Sequence, residues 1–278
     1  MQDPRDGDVG RASPLSITGD ARGVLCLHGL TGTPFEVAPL AEGLGRAGFS
    51  VEAPLLAGHA GTLDDLAATR WPDWLASAEA ALDKLRAAVA DRAAEAGVKG
   101  RAPPRVALVG FSMGGLLSLR LARLRPDNVA AMVIMSAPLR LRRYQVNGIR
   151  ALSLVPGPLG LGPLANVPKL GGCDVSDPEM KRLNPTLPAM PVPALASLLD
   201  LMTLTRADLP AIRTPALVVH GRRDHTVPME DSLELTGCLG SDIIERLWLE
   251  QSFHLVVLDV ERALLLDAVG RFLGAHLA

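Results

Sequence analysis

Short apolar runs alternate with longer segments of helical periodicity along most of this 278-residue chain, and this alternation constrains its fold most strongly. A continuous apolar run is typical of a strand that is covered on both faces, as in parallel sheets. The alternation therefore predicts an α/β protein with a mostly parallel, doubly wound sheet that is flanked by helices. Strands are predicted at 23–29, 49–54, 105–110, 129–138, 215–221 and 243–249.

Helices are predicted between these strands. Residues 34–48 begin with a proline, which suits a first helical turn. From 71 to 89, apolar residues recur at spacings of three and four, so one face of a helix should pack on the sheet. Residues 113–125 precede a proline and have a helical pattern, and 261–273 form a closing amphipathic helix.

The segment 139–205 interrupts the alternation. It contains nine of the 22 prolines and no clear strand, although residues 195–204 have a helical pattern. We interpret it as an inserted cap over the C-terminal edge of the sheet, where open α/β folds bind ligands. A long disordered excursion is the alternative, which its many apolar residues disfavour. The predicted division is a tail or arm at 1–20, a core at 21–138 and 206–278, and this cap.

Composition and charge exclude several classes of function. The net charge is −2 without a basic stripe, so nucleic acid is not an expected partner. No apolar run reaches the roughly 20 residues of a membrane span, and residues 1–16 are not typical of a signal peptide. The three cysteines have neither paired nor metal-ligand spacing. We expect a cytoplasmic protein without cofactor, metal or stable membrane insertion, and the oligomeric state stays open.

A serine lies between glycines where a predicted strand meets a predicted helix. Gly110, Ser112 and Gly114 match the pattern G-x-S-x-G, whose sharp turn strains the serine backbone and exposes its hydroxyl. Side chains at the two glycine positions would collide across such a turn. A serine in an ordinary loop is the alternative. The flanking strand and helix favour Ser112 as a nucleophile.

A serine nucleophile requires a base, and a carboxylate to orient that base. Among six histidines, His254 follows the last predicted strand, which places it at the same sheet edge as Ser112. Asp224 directly follows another buried strand. Asp231 and Asp242 are alternatives, but neither leaves a strand end directly. The order serine, aspartate, histidine is the one expected for this fold class.

Two backbone N–H groups are required to stabilise the oxyanion that develops during attack on a carbonyl. The first is predicted at Met113, the residue after the nucleophile. The second is predicted at Leu30, in the loop 26–34, because His28 and Gly29 turn the chain there. An ordinary glycine turn is the alternative for this loop.

The segments HGLTG, GHAGT, GFSMGG, GRRDHTVP and QSFHLVVLD occur in the order found in α/β-hydrolases. The chain most closely resembles small bacterial carboxylesterases and enzymes similar to monoacylglycerol lipase. The resemblance covers nearly all of residues 20–275 and is weakest in the 139–205 segment. By position, it implies a catalytic triad and two oxyanion donors, namely Ser112, Asp224, His254, Leu30 and Met113.

Two positions depart from the family pattern. Phe253 precedes His254 where many relatives have glycine, so its ring either narrows the acyl or alcohol pocket or re-aims His254. Ala60, in the loop GHAGT, also replaces a common glycine. We predict that Phe253 and His59, from that loop, contact the substrate.

The resemblance implies a serine carboxylesterase that acts through an acyl-enzyme. The apolar cap favours short-to-medium aliphatic acyl esters or monoacylglycerols, so a small-molecule ester is the expected partner. The same triad would serve carbon–carbon bond hydrolysis, acyl transfer or perhydrolysis, and a non-catalytic binding protein of this fold is a further alternative. Epoxide and haloalkane hydrolysis are disfavoured because they require an aspartate at position 112.

Overall fold

A computed structural model describes residues 12–97, 104–141, 146–149, 151, 166–169 and 171–277. Its strands are β1 (Leu15–Ile17), β2 (Gly23–Leu27), β3 (Ser50–Ala53), β4 (Val106–Phe111), β5 (Val129–Met135), β6 (Asn166–Pro168), β7 (Ala189–Pro191), β8 (Ala216–Gly221) and β9 (Ile244–Leu249). The central sheet has the order β1-β3-β2-β4-β5-β8-β9. Strand β1 is antiparallel to β3, and the other pairings of this sheet are parallel. The predicted mostly parallel sheet is confirmed.

Helices cover both faces of this sheet. They are α1 (Ala38–Arg46), α2 (Leu63–Ala68), α3 (Trp71–Glu95), α4 (Met113–Leu124), α5 (Pro178–Leu183), α6 (Val192–Asp208), α7 (Met229–Cys238) and α8 (Arg262–His276). A short 3-10 turn at Pro34–Glu36 precedes α1, so the helix predicted at 34–48 begins later than expected.

Successive residues of a central strand face opposite layers of the core. In β2, Leu25 and Leu27 pack in the layer that contains α3, α4 and α6. Val24 and Cys26 pack in the other layer, with α1 and α8. All four side chains are completely buried. This two-sided burial explains why the strand has a continuous apolar run instead of an alternating pattern.

The periodic apolar residues of α3 form the face that packs on the sheet, as predicted. The buried members are Trp74, Leu75, Ala78, Leu82, Leu85 and Val89. Trp71 has the same spacing but is partly exposed, because it is the first residue of the helix. Its amide N–H donates to Ser197 Oγ of α6 at 2.8 Å, which links the start of α3 to the 139–205 segment.

The 139–205 segment contains strands that the sequence pattern does not indicate. Strands β6 and β7 form a small antiparallel sheet, and each has three residues, too few to show a strand pattern. The helix predicted at 195–204 is part of α6. Parts of the predicted cap lie outside the described residues, namely 142–145, 150, 152–165 and 170.

The predicted N-terminal tail also includes a strand. Within the range 1–20, β1 pairs with β3 at one edge of the sheet, and Leu15 and Ile17 pack against the apolar layer of α1. Residues 1–11 of this tail lie outside the described residues. The division of the chain into tail, core and cap stays a prediction.

Candidate active site

Ser112 lies where β4 turns directly into α4. Its φ of 53° and ψ of −117° are values that a residue with a side chain rarely adopts. The N–H of Ser112 donates to Met135 O at 2.9 Å, which ties the turn to the end of β5. This strained backbone is the geometry that the G-x-S-x-G pattern predicts, and it turns the hydroxyl away from both flanking elements.

Gly110 and Gly114, which flank Ser112, both lie too close to a neighbouring backbone for a side chain, but the neighbouring group differs. A methyl group at Gly110 would collide with Gly114 O, as predicted for a sharp turn. A methyl group at Gly114 would instead collide with Leu27 O at the end of β2. The predicted collision across the turn is therefore found for Gly110 and is wrong for Gly114, where a neighbouring strand is the obstacle.

A continuous set of hydrogen bonds joins Ser112, His254 and Asp224. His254 Nε2 lies 3.3 Å from Ser112 Oγ, and His254 Nδ1 lies 2.8 Å from Asp224 Oδ2. Because a carboxylate accepts, Nδ1 carries the proton and Nε2 is free to accept from the serine hydroxyl. The structure thus brings together three residues that come from the ends of β4, β8 and β9.

The environment of Asp224 keeps it ionised. Its Oδ1 accepts the N–H groups of Thr226 and Val227, each at 2.8 Å. Burial alone would raise the pKa of Asp224, but the neighbouring His254 and the hydrogen bond from the Val227 N–H lower it below its ordinary value. Burial would likewise lower the pKa of His254, but the Asp224 carboxylate raises it overall. His254 is therefore a stronger base than free imidazole.

The alternative aspartates have other surroundings. Asp231 is completely buried, and its Oδ2 accepts the N–H of Leu139 at 2.8 Å and that of Arg140 at 3.3 Å. Asp242 is exposed. Among the described hydrogen bonds and ion pairs, neither residue contacts His254, whereas Asp224 does.

A second histidine, which the sequence analysis does not select, lies against Asp224. His220 Nε2 is 3.5 Å from Asp224 Oδ2 and 3.1 Å from Val227 O, and its Nδ1 accepts from Ser232 Oγ at 2.7 Å. Burial lowers the pKa of His220, so the ring stays neutral and its Nε2–H faces the carboxylate. The only signal in the sequence was that His220 precedes Asp224 by four residues. This spacing does not show that the turn after β8 brings the carboxylate back against the ring.

Leu30 and Met113 lie on adjoining turns. The loop of Leu30 runs close to the serine, since a methyl group at Gly29 would lie 3.3 Å from Ser112 Cβ. Within the described ranges, no hydrogen bond engages the amide N–H of Leu30 or of Met113. Neither N–H group has a partner among the described hydrogen bonds, as the two predicted oxyanion donors require, and their role stays a prediction.

His59 is buried in an aromatic cluster. Its ring meets those of His28 and Trp74 edge-on, at centroid distances of 4.9 Å and 6.0 Å. The Nδ1–H of His59 donates to Ala57 O at 2.9 Å, and burial lowers its pKa to about 4. These contacts support a packing role, and the predicted contact of His59 with substrate gains no support from them.

Phe253 does not turn the imidazole of His254 away from the serine, as the hydrogen bonds above show. Its ring instead packs edge-on against His225, at a centroid distance of 4.8 Å. The ring that packs against His254 is that of Phe111, at 4.9 Å. Of the two alternatives for Phe253, re-aiming of His254 is wrong, and narrowing of the pocket stays a prediction.

Ala60 adopts a φ of 61°, which explains why glycine suits this position. A β-carbon costs about 1–2 kcal/mol in this region. We expect Ala60→Gly to raise the free energy of unfolding by about 0.5–1 kcal/mol, because glycine relieves the strain but adds entropy to the unfolded chain. Urea denaturation measures the change. The exposed helical control Ala88→Gly should lose about 1 kcal/mol, and an equal loss for Ala60→Gly would refute the prediction.

Three further observations concern the described part of the chain. It contains no cluster of three or more His, Cys, Asp or Glu side chains that is arranged to hold a metal ion. Among its helices, none combines the length and the apolar character needed to cross a bilayer. The cysteines are free thiols, with Cys26 and Cys173 buried and Cys238 exposed.

Known proteins are similar to this chain over nearly its whole length. It is 29% identical over 265 residues to the thermostable monoacylglycerol lipase of Bacillus sp. (strain H-257), with 95% of each chain covered. It is 28% identical over 262 residues to the carboxylesterase of Bacillus subtilis (strain 168), covering 94% of this chain and 95% of that protein. A solved structure from work on two metagenome-derived lipolytic enzymes, LipS and LipT, superimposes with a TM-score of 0.82 at 31% identity, covering 95% of this chain and 98% of that one.

A family model described as serine aminopeptidase, S33, matches residues 20–261. The matched range includes the hydrogen-bonded Ser112, His254 and Asp224. The predicted α/β-hydrolase fold and the resemblance to carboxylesterases and monoacylglycerol-lipase-like enzymes are both confirmed. The chain belongs to the serine aminopeptidase S33 family of α/β-hydrolases, and it is a serine hydrolase.

Proposed function

We propose that this enzyme hydrolyses carboxylic esters through an acyl-enzyme, with Ser112 as nucleophile, His254 as general base and Asp224 as its orienting carboxylate. The observation that carries the proposal is the continuous hydrogen bonding from Asp224 Oδ2 through His254 to Ser112 Oγ. The names of the two bacterial relatives, a monoacylglycerol lipase and a carboxylesterase, support the same chemistry.

The first half of the reaction transfers the acyl group to Ser112. Its Oγ attacks the ester carbonyl carbon while the hydroxyl proton moves to His254 Nε2. Negative charge then collects on the carbonyl oxygen, where the N–H groups of Leu30 and Met113 stabilise it. His254 gives the proton to the departing alkoxide, so the alcohol leaves and Ser112 carries the acyl ester.

The second half releases the acid. A water molecule gives a proton to His254 and attacks the acyl carbon. The same two N–H groups stabilise the second oxyanion. The proton returns to Ser112 Oγ as the carboxylic acid departs. Asp224 keeps the Nδ1 proton in place throughout and stabilises the imidazolium that forms in each half.

The substrates are short-to-medium aliphatic acyl esters, including monoacylglycerols, and the 139–205 segment acts as a cap over the site. Contacts on two sides of Ser112 support the cap. On one side, the N–H of Leu187 donates to the carbonyl oxygen of Thr31 at 3.0 Å, and Thr31 lies in the loop that follows β2. On the other side, Asp174 Oδ2 accepts the N–H of His225 at 2.8 Å, and His225 lies in the turn that follows β8. The small-molecule ester is the partner, and the net charge of −2 disfavours nucleic acid.

A panel of p-nitrophenyl esters from acetyl to palmitoyl, together with monoacylglycerols, tests the proposal. We expect turnover to peak at short or medium chains and a serine-directed phosphonate to label Ser112 stoichiometrically. Alternative acceptors and p-nitroanilides in the same panel separate ester hydrolysis from acyl transfer, perhydrolysis and peptidase activity. Absence of ester turnover, or a phosphonate adduct on another peptide, would disprove the assignment.

The activity should depend on the protonation of His254, since only the neutral ring accepts the serine proton. Because Asp224 raises the pKa of His254, we expect kcat/KM to rise with pH through a midpoint above about 6.5, the ordinary imidazole value. Activity is therefore lost as pH falls. Stopped assays across the neutral range measure the profile, and a midpoint on the acidic side of 6.5 would contradict the inferred electrostatics.

A cytoplasmic location is consistent with the cysteines. Disulfides persist in oxidising compartments, whereas Cys26, Cys173 and Cys238 are free thiols. Fractionation of the producing cells, with activity and antibody detection, tests the location.

A further inference from the structure

The carboxylate of Glu36 is buried beneath the loop that carries the proposed oxyanion donor Leu30. Glu36 is only 5% exposed, although it has no role in the proton transfers described above. Its Oε2 accepts the N–H of Gly29 at 3.0 Å. A methyl group at Gly32 would collide with the same carboxylate, so the loop lies directly on it.

Gly29, which precedes Leu30, is held at both its backbone groups. Glu36 Oε2 accepts its N–H, and its carbonyl oxygen lies 2.9 Å from His28 Nδ1 and accepts the N–H of Gly32 at 3.2 Å. Glycine rotates more freely than other residues, and its φ and ψ decide where the following N–H points. A fixed acceptor for the Gly29 N–H removes part of this freedom. The carboxylate of Glu36 thus restrains the N–H side of Gly29, next to the proposed donor Leu30.

The same loop is held from its other side by the 139–205 segment. Thr31 has a φ of 65°, which is unfavourable for a residue with a side chain. Its carbonyl oxygen accepts both the N–H of Leu187 at 3.0 Å and the Thr186 hydroxyl at 3.1 Å. Lys169 Nζ donates in turn to Thr186 Oγ1 at 2.6 Å. Leu30 thus lies between two residues whose backbone groups are both engaged.

Burial of a carboxyl group is costly unless polar partners offset it. Burial raises the pKa of Glu36, while Lys169, the Gly29 N–H, His254 and Asn184 oppose that rise. A buried glutamate at this position therefore lowers the free energy of unfolding relative to an apolar side chain of similar size. A function for its acceptor oxygen accounts for its presence.

We propose that Glu36 is a positioning residue, which aims the N–H of Leu30 at the oxyanion by holding the N–H of Gly29. The inference rests on the proposed ester hydrolysis, because the oxyanion forms in that reaction. In this inference Glu36 acts through its acceptor oxygen and not through its charge. Glutamine, which keeps an oxygen at this position, should therefore function nearly as well as glutamate.

The test compares two substitutions of Glu36 that differ in the acceptor oxygen. Glu36→Met has a similar length without an acceptor, and we expect it to lower kcat by about 10–100-fold with little change in KM. Glu36→Gln keeps an oxygen for Gly29 and should remain within about fivefold of the wild type. Glu52→Met is the matched control, because Glu52 is similarly buried, on β3, and pairs with Lys84. Its kcat should equal that of the wild type.

A second set of measurements separates positioning from a general loss of structure. A trifluoromethyl ketone forms an oxyanion adduct with the nucleophile, so its affinity should fall in Glu36→Met by the same factor as kcat/KM. Amide hydrogen exchange at Gly29 should accelerate in this variant and not in Glu52→Met. Thr186→Val, which removes one hydrogen bond to Thr31, should lower kcat in the same direction.

The outcomes distinguish this inference from the proposed function. Lack of ester turnover by the wild-type enzyme would end the proposed function, while exchange at Gly29 would still report whether Glu36 holds the loop. With an active wild type, unchanged kcat and inhibitor affinity in Glu36→Met would overturn the inference alone. An equal loss in Glu36→Gln and Glu36→Met would also overturn it, because charge and not the acceptor would then be responsible.

Discussion

Replacement of Ser112 by alanine is expected to lower kcat by about 10⁴–10⁶-fold without unfolding the protein. The substitution removes one oxygen, which lies 3.3 Å from His254 Nε2. It keeps the β-carbon, so the strained backbone at a φ of 53° is neither relieved nor made worse. Residual activity would come from water that attacks a carbonyl held by the N–H groups of Leu30 and Met113.

The measurement uses protein from a host that lacks its own esterases. Active sites of the wild type are counted by phosphonate titration, and Ser112→Ala, which lacks the reactive oxygen, is counted by protein concentration. Ser118→Ala is a matched control on α4, the helix that follows Ser112, since the Ser118 hydroxyl is completely buried and donates to Gly114 O at 2.8 Å. That variant should lose about 1 kcal/mol of stability and keep most of its kcat. If Ser112→Ala retained comparable turnover, another residue would have to be the nucleophile.

Replacement of Asp224 by asparagine is expected to lower kcat by about 10⁴-fold, because the amide favours the wrong histidine tautomer. The structure indicates how asparagine would be oriented. The N–H groups of Thr226 and Val227 both donate to Oδ1, so the amide oxygen should stay there. The amide NH₂ then faces His254 Nδ1 and donates to it. The ring proton moves to Nε2, which can no longer accept from Ser112.

The control for this substitution is Asp231→Asn. Asp231 is also completely buried and accepts backbone N–H groups, from Leu139 and Arg140. We expect Asp231→Asn to lower the free energy of unfolding. Its kcat should stay within about threefold of the wild type, since Asp231 does not contact His254. A loss below roughly tenfold in Asp224→Asn would assign the orienting role to another carboxylate.

The central sheet and the three hydrogen-bonded residues could be predicted from the sequence because their signals are local. Strands buried on both faces have continuous apolar runs, and parallel strands bring their C-terminal ends to one edge. Ser112 and Asp224 each follow such a run, whereas His254 follows β9, an edge strand that is only partly buried. All three strands are parallel, so their C-terminal ends bring the three residues to one edge. Strands β1, β6 and β7 have three residues each, which is too short for a pattern.

Residues whose role depends on side-chain direction could not be predicted in this way. His59 belongs to a motif beside the site, yet its ring packs on His28 and Trp74, which are distant in sequence. His220 ends a buried strand, where a histidine has no distinctive pattern. Glu36 lies in a 3-10 turn, and its burial results from a loop that folds back over it. Tertiary packing decides all three cases.

The contact between the start of α4 and the end of β2 has a consequence for the energetics of the reaction. Gly114 has no room for a methyl group against Leu27 O, so the start of α4 packs directly on the end of β2, next to the loop that carries Leu30. If Leu30 and Met113 donate to the oxyanion as proposed, this contact orients the dipoles of both N–H groups before any charge appears. Water would have to reorganise around a new oxyanion, whereas these preorganised dipoles need not, so that part of the barrier is already paid during folding.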